Sequence, residues 1–180
     1  MVRSEAKKKV GILGGSFDPA HKGHLAISVE AKKRFRLKEI IWAITEKNPL
    51  KNKSQNSLSK RIKECKKLTK DKKYIKVKFY EKIIRSNKTI DLINYLKKNN
   101  KIEIYFIMGA DNLINFHKWY KSKEISKKCN ILVFDRQGYK RKSLKSETYI
   151  NKKPDHFLLF FGLNMRYIDP ITLKLIESSL

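Results

Sequence analysis

Two histidines, His21 and His24, stand three residues apart at the end of the stretch VGILGGSFDPAHKGH (Val10 to His24), and they are the side chains best suited to chemistry on a charged substrate. At the start of a helix that spacing puts both rings on one side, near the same spot. Two imidazoles beside an anion site can donate hydrogen bonds to phosphate oxygens and stabilise charge that grows in a transition state. No protein nucleophile is needed for that. The opposing reading, a plain strand-to-helix turn with surface histidines, accounts for a glycine pair but not for the whole spacing.

The elements that must hold these rings are legible around them. A short apolar run ending in Gly14-Gly15 reads as a buried strand whose chain must then turn sharply, since glycine reaches backbone angles closed to other residues. Asp18-Pro19 gives a turn or cap signal. From about Lys22, apolar Leu25, Ala26, Val29 and Phe35 are spaced for one face of a helix. Strand, tight loop and helix aim a helix N-terminus and free backbone N–H groups at the loop, which suits phosphate. The loop has no Gly-Lys-Ser/Thr ending and no G-x-G-x-x-G, so neither a P-loop nor a dinucleotide fingerprint is present.

Size and charge bound the rest. The 180 residues, 41% hydrophobic and 33% charged, suit one domain with a real core. That domain is expected to span 1–180, with residues 1–9 as a basic N-terminal extension. No apolar run approaches the roughly 20 residues that cross a bilayer, and MVRSEAKKK lacks the apolar stretch of a secretory signal. A cytoplasmic protein without a membrane partner is expected. Cys65 and Cys129 lie far apart and suggest neither a disulfide framework nor a zinc site. The formal charge of +26 raises nucleic-acid binding as an alternative. Against it, lysine far outnumbers arginine and is spread along the chain, whereas a nucleic-acid module shows a clustered stripe. Codon bias toward A and T would raise Lys, Asn and Ile together, and no nucleic-acid partner is expected.

Further along, strands are expected at Glu39 to Thr45, Tyr74 to Tyr80 (alternating, hence an edge), Ile102 to Gly109, Asn130 to Tyr139 and Phe157 to Phe161, the last buried strand. Ser59 can cap a helix from about Lys60 to Lys70 with Ile62, Cys65 and Leu68 inward. Ser86 or Asn87 signals another helix through TIDLINYLKK. Lys140 to His156 reads as a surface loop, and a short helix can follow Pro170. This alternation gives an α/β fold, doubly wound, with a mainly parallel sheet and helices on both faces. In such sheets ligands bind outside the carboxyl ends of the strands where the order reverses.

GGSFDPAHKGH resembles the signature of the HxGH nucleotidyltransferase superfamily, whose fold is Rossmann-like, and most resembles the nicotinate-nucleotide adenylyltransferase family. The resemblance runs over about residues 10 to 139. It implies transfer of AMP from ATP to nicotinate mononucleotide, with Mg²⁺ bound through the substrate phosphates and no protein metal ligands. It implies catalysis by His21 and His24, ATP contacts from Gly14, Gly15, Ser16, Phe17, Gly109, Asp111 and Arg136, and mononucleotide contacts from Lys51, Thr89 and Trp119. Asp111 can instead cap the helix that follows it, Thr89 can be a helix-capping threonine, and Trp119 can be core. The family's Thr-x-x-Thr is reduced here to Thr89, because Leu92 replaces the second threonine. Its C-terminal I-S-S-T-x-I-R segment has no counterpart beyond Ser178-Ser179, so either the chain is truncated or that part of the phosphate site is altered. Among relatives, phosphopantetheine adenylyltransferase is the rival reading, and the Trp119 segment and Gly109-Ala110-Asp111 favour the nicotinate family.

Overall fold

The apolar run Val10–Leu13 is buried in the middle of β1 (Lys8–Gly15), and the first half of the fold is built outward from it. The computed structural model describes residues 6–46, 55–98, 101–135, 140–146, 157–161 and 166–167. Two compact units divide the chain, Met1–Ile107 and Met108–Leu180.

In the first unit, β1 is followed by α1 (Lys22–Phe35), β2 (Glu39–Ile44), α2 (Leu58–Leu68), β3 (Ile75–Lys78), α3 (Glu81–Ile84), α4 (Thr89–Lys98) and the start of β4 (Ile102–Gly109). The strand order is β3-β2-β1-β4. All three pairings are parallel, with Gly15 opposite Ile44 and Leu13 opposite Ile107. The chain moves outward from β1 through β2 to β3, then returns to the far side of β1. With right-handed crossovers, that reversal puts the helices of the outward path and those of the return path on opposite faces. The reversal lies between β1 and β4, so the carboxyl end of β1 is where a ligand belongs. β3, with its alternating lysines, lies at the sheet's edge beyond β2.

Packing around β1 is tight. A Cβ on Gly11 would come within 2.9 Å of Leu37 Cδ1 and 3.1 Å of Ile40 Cγ1, so the glycine lets the chain after α1 close onto the sheet.

The second unit holds α5 (Ala110–Ile114), a 3-10 turn (Phe116–Lys118), α6 (Ser122–Lys128), β5 (Asn130–Phe134), α7 (Lys140–Leu144), β6 (Phe157–Phe161) and β7 (Arg166–Tyr167). β6 pairs parallel with β5, and β7 pairs antiparallel with β6. Met108, Ala110, Leu113, Phe116, Ile125, Cys129 and Ile131–Phe134 are the buried apolar residues among its described ones.

Several expectations are corrected at this level. The inward face of α1 is not the Leu25-Ala26-Val29 stripe, because its buried residues are Ser28 and Ala31 while Val29 is 38% exposed. The face toward the sheet runs through positions 24, 28, 31 and 35, set by a hydrogen bond from the sheet to Ser28. Ser57, not Ser59, caps α2, its side chain accepting from Lys60 N. Strands β2, β3 and β5 are shorter than their apolar runs, α3 is an extra turn of helix, and α7 begins within the stretch read as loop. β6 falls on Phe157–Phe161 as expected, and a two-residue strand, β7, follows it. The stretch after Pro170 lies outside the described residues.

Candidate functional site

The carboxyl end of β1 turns at a residue other than its glycines. Gly14 and Gly15 continue the strand, and the left-handed conformation falls on Phe17, with φ 49°. For a non-glycine residue that costs about 1–2 kcal/mol. The Phe17 ring is buried, stacked on Trp42 of β2 (centroids 4.9 Å apart, planes 17° apart) and packed on His24 at 4.8 Å. Burying a phenylalanine contributes about 1.5–3 kcal/mol, which outweighs the backbone cost. The turn is therefore held by side-chain packing, which leaves the Gly14 position exposed and without bulk at the mouth of the loop.

Asp18-Pro19 follows as a turn with a cis peptide bond, and α1 then begins with His21 as N-cap. His21 Nδ1 accepts from Gly23 N at 3.1 Å, and His24 Nδ1 accepts from His21 N at 3.3 Å. An Nδ1 that accepts carries its lone pair toward the donor, so each ring has its N–H at Nε2. The ring centroids are 3.9 Å apart. Two imidazole rings thus sit side by side at a helix N-terminus whose first turn contains no acidic residue. The helix dipole and both imidazoles favour the same occupant, an anion.

The glycine between the histidines has a steric reason. A Cβ on Gly23 would lie 2.9 Å from both Cε1 and Nδ1 of His21. Gly23→Ala is expected to push that ring off its cap bond with little loss of thermal stability and, if the ring works on an anionic substrate, to lower turnover by about tenfold, the scale of a misplaced group. Steady-state kinetics beside a thermal melt checks this. Unchanged turnover would show that the ring's position does not matter.

Three residues that the sequence reading did not single out for the site hold the loop. Arg61, 1% exposed on α2, donates from Nη1 to Ser16 O (2.7 Å) and Thr45 O (2.8 Å), from Nη2 to Glu46 O (3.0 Å) and from Nε to Asn56 O (3.2 Å). The Asp18 carboxylate accepts from the backbone N–H of Gln55 (2.5 Å) and Asn56 (3.3 Å) and from Asn56 Nδ2 (2.6 Å). The Asn56 side chain, with smaller help from these N–H groups and from the Arg61 charge, holds that carboxyl below its ordinary range. Glu81 accepts from Thr45 Oγ1 and, at 3.1 Å, from Glu46 N. One signal for Arg61 was available: it lies four residues before Cys65, on the inward face of α2. Cys65 itself is buried, which pushes its thiol up to about 12 and leaves it inert as a nucleophile.

The other expected site residues fall as follows. Gly14, Gly15, Ser16, Phe17, His21 and His24 are brought together around one loop. Thr89 opens α4, where the Ser86 hydroxyl accepts from Lys88 N (3.1 Å) and donates to Asp91 Oδ2 (2.6 Å). In the second unit Gly109 is the N-cap of α5 and Asp111 is in its first turn, so the aspartate does not occupy the cap position. Trp119 is half-buried, its ring 5.3 Å from the buried Phe116. Lys51 and Arg136, and Ser178-Ser179, lie outside the described residues. Among the described residues no group of three or more His, Cys, Asp or Glu could hold a metal ion, and no helix is long and apolar enough to cross a membrane.

Comparison with known proteins bears on this loop and its fold. Residues 12–170 match the family model described as cytidylyltransferase-like. A protein of Pelagibacter ubique (strain HTCC1062), named probable nicotinate-nucleotide adenylyltransferase, is 65% identical over 164 residues, 90% of this chain and 91% of that one. One of the same name from Agrobacterium fabrum (strain C58 / ATCC 33970) is 41% identical over 131 residues, 72% of this chain and 70% of that one. Among solved structures, the Plasmodium falciparum nicotinic acid mononucleotide adenylyltransferase complexed with NaAD aligns over 96% of both chains with a TM-score of 0.69 at 18% identity, a likeness of fold.

Proposed function

Because the chain belongs to the nicotinate-nucleotide adenylyltransferase family of cytidylyltransferase-like proteins, we propose that its loop at Gly14–His24 carries out adenylyl transfer. ATP and nicotinate mononucleotide are the substrates, and nicotinate adenine dinucleotide and pyrophosphate are the products, a step of NAD biosynthesis. The observation that carries the assignment to this loop is the pair of ring N–H donors on His21 and His24 at the bare N-terminus of α1. The fold is doubly wound α/β, and we read the chain as acting as one nucleotidyltransferase domain.

In this reading a phosphate oxygen of the mononucleotide attacks the α-phosphorus of ATP in line, the P–O bond to pyrophosphate breaks, and pyrophosphate leaves. No covalent intermediate with the protein is required. The chain's contribution is positioning and charge stabilisation. His21 and His24 donate to the α-phosphate oxygens as their charge grows, and Gly14–Phe17 offers backbone contact to the phosphates. The family resemblance assigns Gly109 to the adenine nucleotide, Asp111 to a ribose hydroxyl, Arg136 to phosphate, and Lys51, Thr89 and Trp119 to the mononucleotide. Mg²⁺ would be carried by the substrate phosphates rather than by protein ligands, and when bound it would neutralise part of their charge. The histidines suit the phosphates better than the ion, since each Nδ1 is already engaged and each Nε2 carries a proton. We place the reaction in the cytoplasm.

The test is pyrophosphate release with ATP and each acceptor in turn. Turnover with nicotinate mononucleotide is expected. Turnover with phosphopantetheine alone would reject the acceptor, and salt-dependent nucleic-acid binding without any turnover would reject the enzyme.

A further inference from the structure

Arg61 is an odd residue to bury. The residue is 1% exposed, yet none of its four hydrogen bonds goes to a carboxylate. All four acceptors are backbone carbonyls, drawn from the loop after β1 (Ser16), the end of β2 (Thr45, Glu46) and the residues before α2 (Asn56). A buried charge usually has an ionic partner in direct contact; here carbonyl dipoles take every hydrogen bond, and the Asp18 carboxylate interacts with the charge only through space. Such an arrangement fixes three backbone segments with one planar group, which the rigid fork of arginine can do and a lysine ammonium cannot.

The orientation of those carbonyls matters because a trans peptide points its C=O and the following N–H in opposite directions. At Thr45–Glu46 this is visible: Thr45 O faces Arg61, and Glu46 N faces away, to Glu81 Oε2. At Ser16–Phe17 the same geometry holds Ser16 O on Arg61 and turns the Phe17 N–H away from it. Among the described residues that N–H makes no hydrogen bond. Phe17 is also the left-handed residue, so this peptide is the one whose direction depends most on what grips it.

We propose that Arg61 is a positioning residue for the transfer: by gripping Ser16 O from behind, it sets the Ser16–Phe17 peptide so that the Phe17 N–H stands as a phosphate donor beside His24. The proposal rests on the adenylyl-transfer reading above. Asp18 acts alongside it, because its bonds to Gln55 and Asn56 join the far side of the same loop to the segment that Arg61 holds through Asn56 O.

Arg61→Lys is the informative change, since it keeps the charge and loses the fork. Its kcat is expected to fall on the order of 10- to 100-fold, the effect of a misplacement near 1 Å, with KM for both substrates little changed and the protein still folded in a thermal melt. Arg61→Ala, if it folds, should lose more and recover in part on adding ethylguanidinium. A second readout needs no turnover. The chain has two tryptophans, so Trp119→Phe leaves the emission of Trp42, which stacks on Phe17, as a reporter of the loop. Arg61→Lys in that background should shift this emission. Unchanged kcat with unchanged Trp42 emission overturns the proposal, as does a loss of kcat that only follows the unfolded fraction. A wild-type protein without turnover would overturn the adenylyl-transfer reading, while the emission shift would still decide whether Arg61 sets the loop.

Discussion

Replacing either histidine of the opening helix by alanine should lower kcat for nicotinate adenine dinucleotide formation by about 10²–10³-fold, the effect of removing one preorganised donor to a developing oxyanion. Both rings have two tasks, however, and the loss must be assigned to the right one. Each Nδ1 accepts a backbone N–H at the start of α1, and in the proposed transfer each Nε2–H serves the phosphate. His21→Asn can keep the first task, because asparagine is a strong N-cap that accepts through its side-chain oxygen. His24→Gln can do the same at the third helical position, where glutamine completes a capping box. Neither restores an imidazole N–H at the outer position. These conservative variants should melt close to wild type and still lose most of the turnover that the alanine variants lose. If both donors serve one developing charge, as proposed, the double variant should lose less than the product of the two single losses. Steady-state kinetics with a melt for each variant reads all of this. Full activity in His21→Asn and His24→Gln would reduce both residues to helix caps.

Much of this loop could be read from the chain because its chemistry is written in residue types at fixed spacing. Two histidines around a glycine after a strand and a turn need no long-range information to be recognised. What the sequence hid was how the loop is held. Glycine at positions 14 and 15 draws the turn to itself, yet the left-handed residue is Phe17, whose backbone cost is offset by burial of its ring against Trp42 from another strand and His24. Arg61 escaped for a related reason: inward faces of helices are read as apolar, and its four carbonyl partners come from segments 5 to 45 residues away. Ser28 loses to Val29 in any hydrophobic pattern, although the indole of Trp42 needs an acceptor at that place. Local periodicity gave most strands to within a few residues. It could not show that β4 returns to the far side of β1, which puts the reversal of strand order beside the histidine loop.

Trp42→Ala is the substitution expected to cost most in stability, about 3–5 kcal/mol. The side chain is fully buried in β2, lies flat against Phe17, and donates from Nε1 to Ser28 Oγ at 2.9 Å. Ser28 in turn donates to His24 O at 2.8 Å. One indole therefore supports the turn residue and, through one hydroxyl, the helix turn that carries a histidine. A loss of that size should lower Tm by on the order of 10 °C for a chain of this length. Trp42→Phe separates the two supports. It keeps an aromatic face for Phe17 and forfeits the indole N–H, a bond of about 1 kcal/mol, so its Tm should fall by only a few degrees. In a cycle with Phe17→Ala, coupling of about 0.5–1.5 kcal/mol beyond the sum of single effects measures the stack itself. If the stack holds Phe17 in its left-handed conformation, Trp42→Ala should also lose kcat at temperatures where it is fully folded, and Trp42→Phe should keep most of it. A Trp42→Ala protein with wild-type kcat while folded would show that the turn holds without its aromatic support.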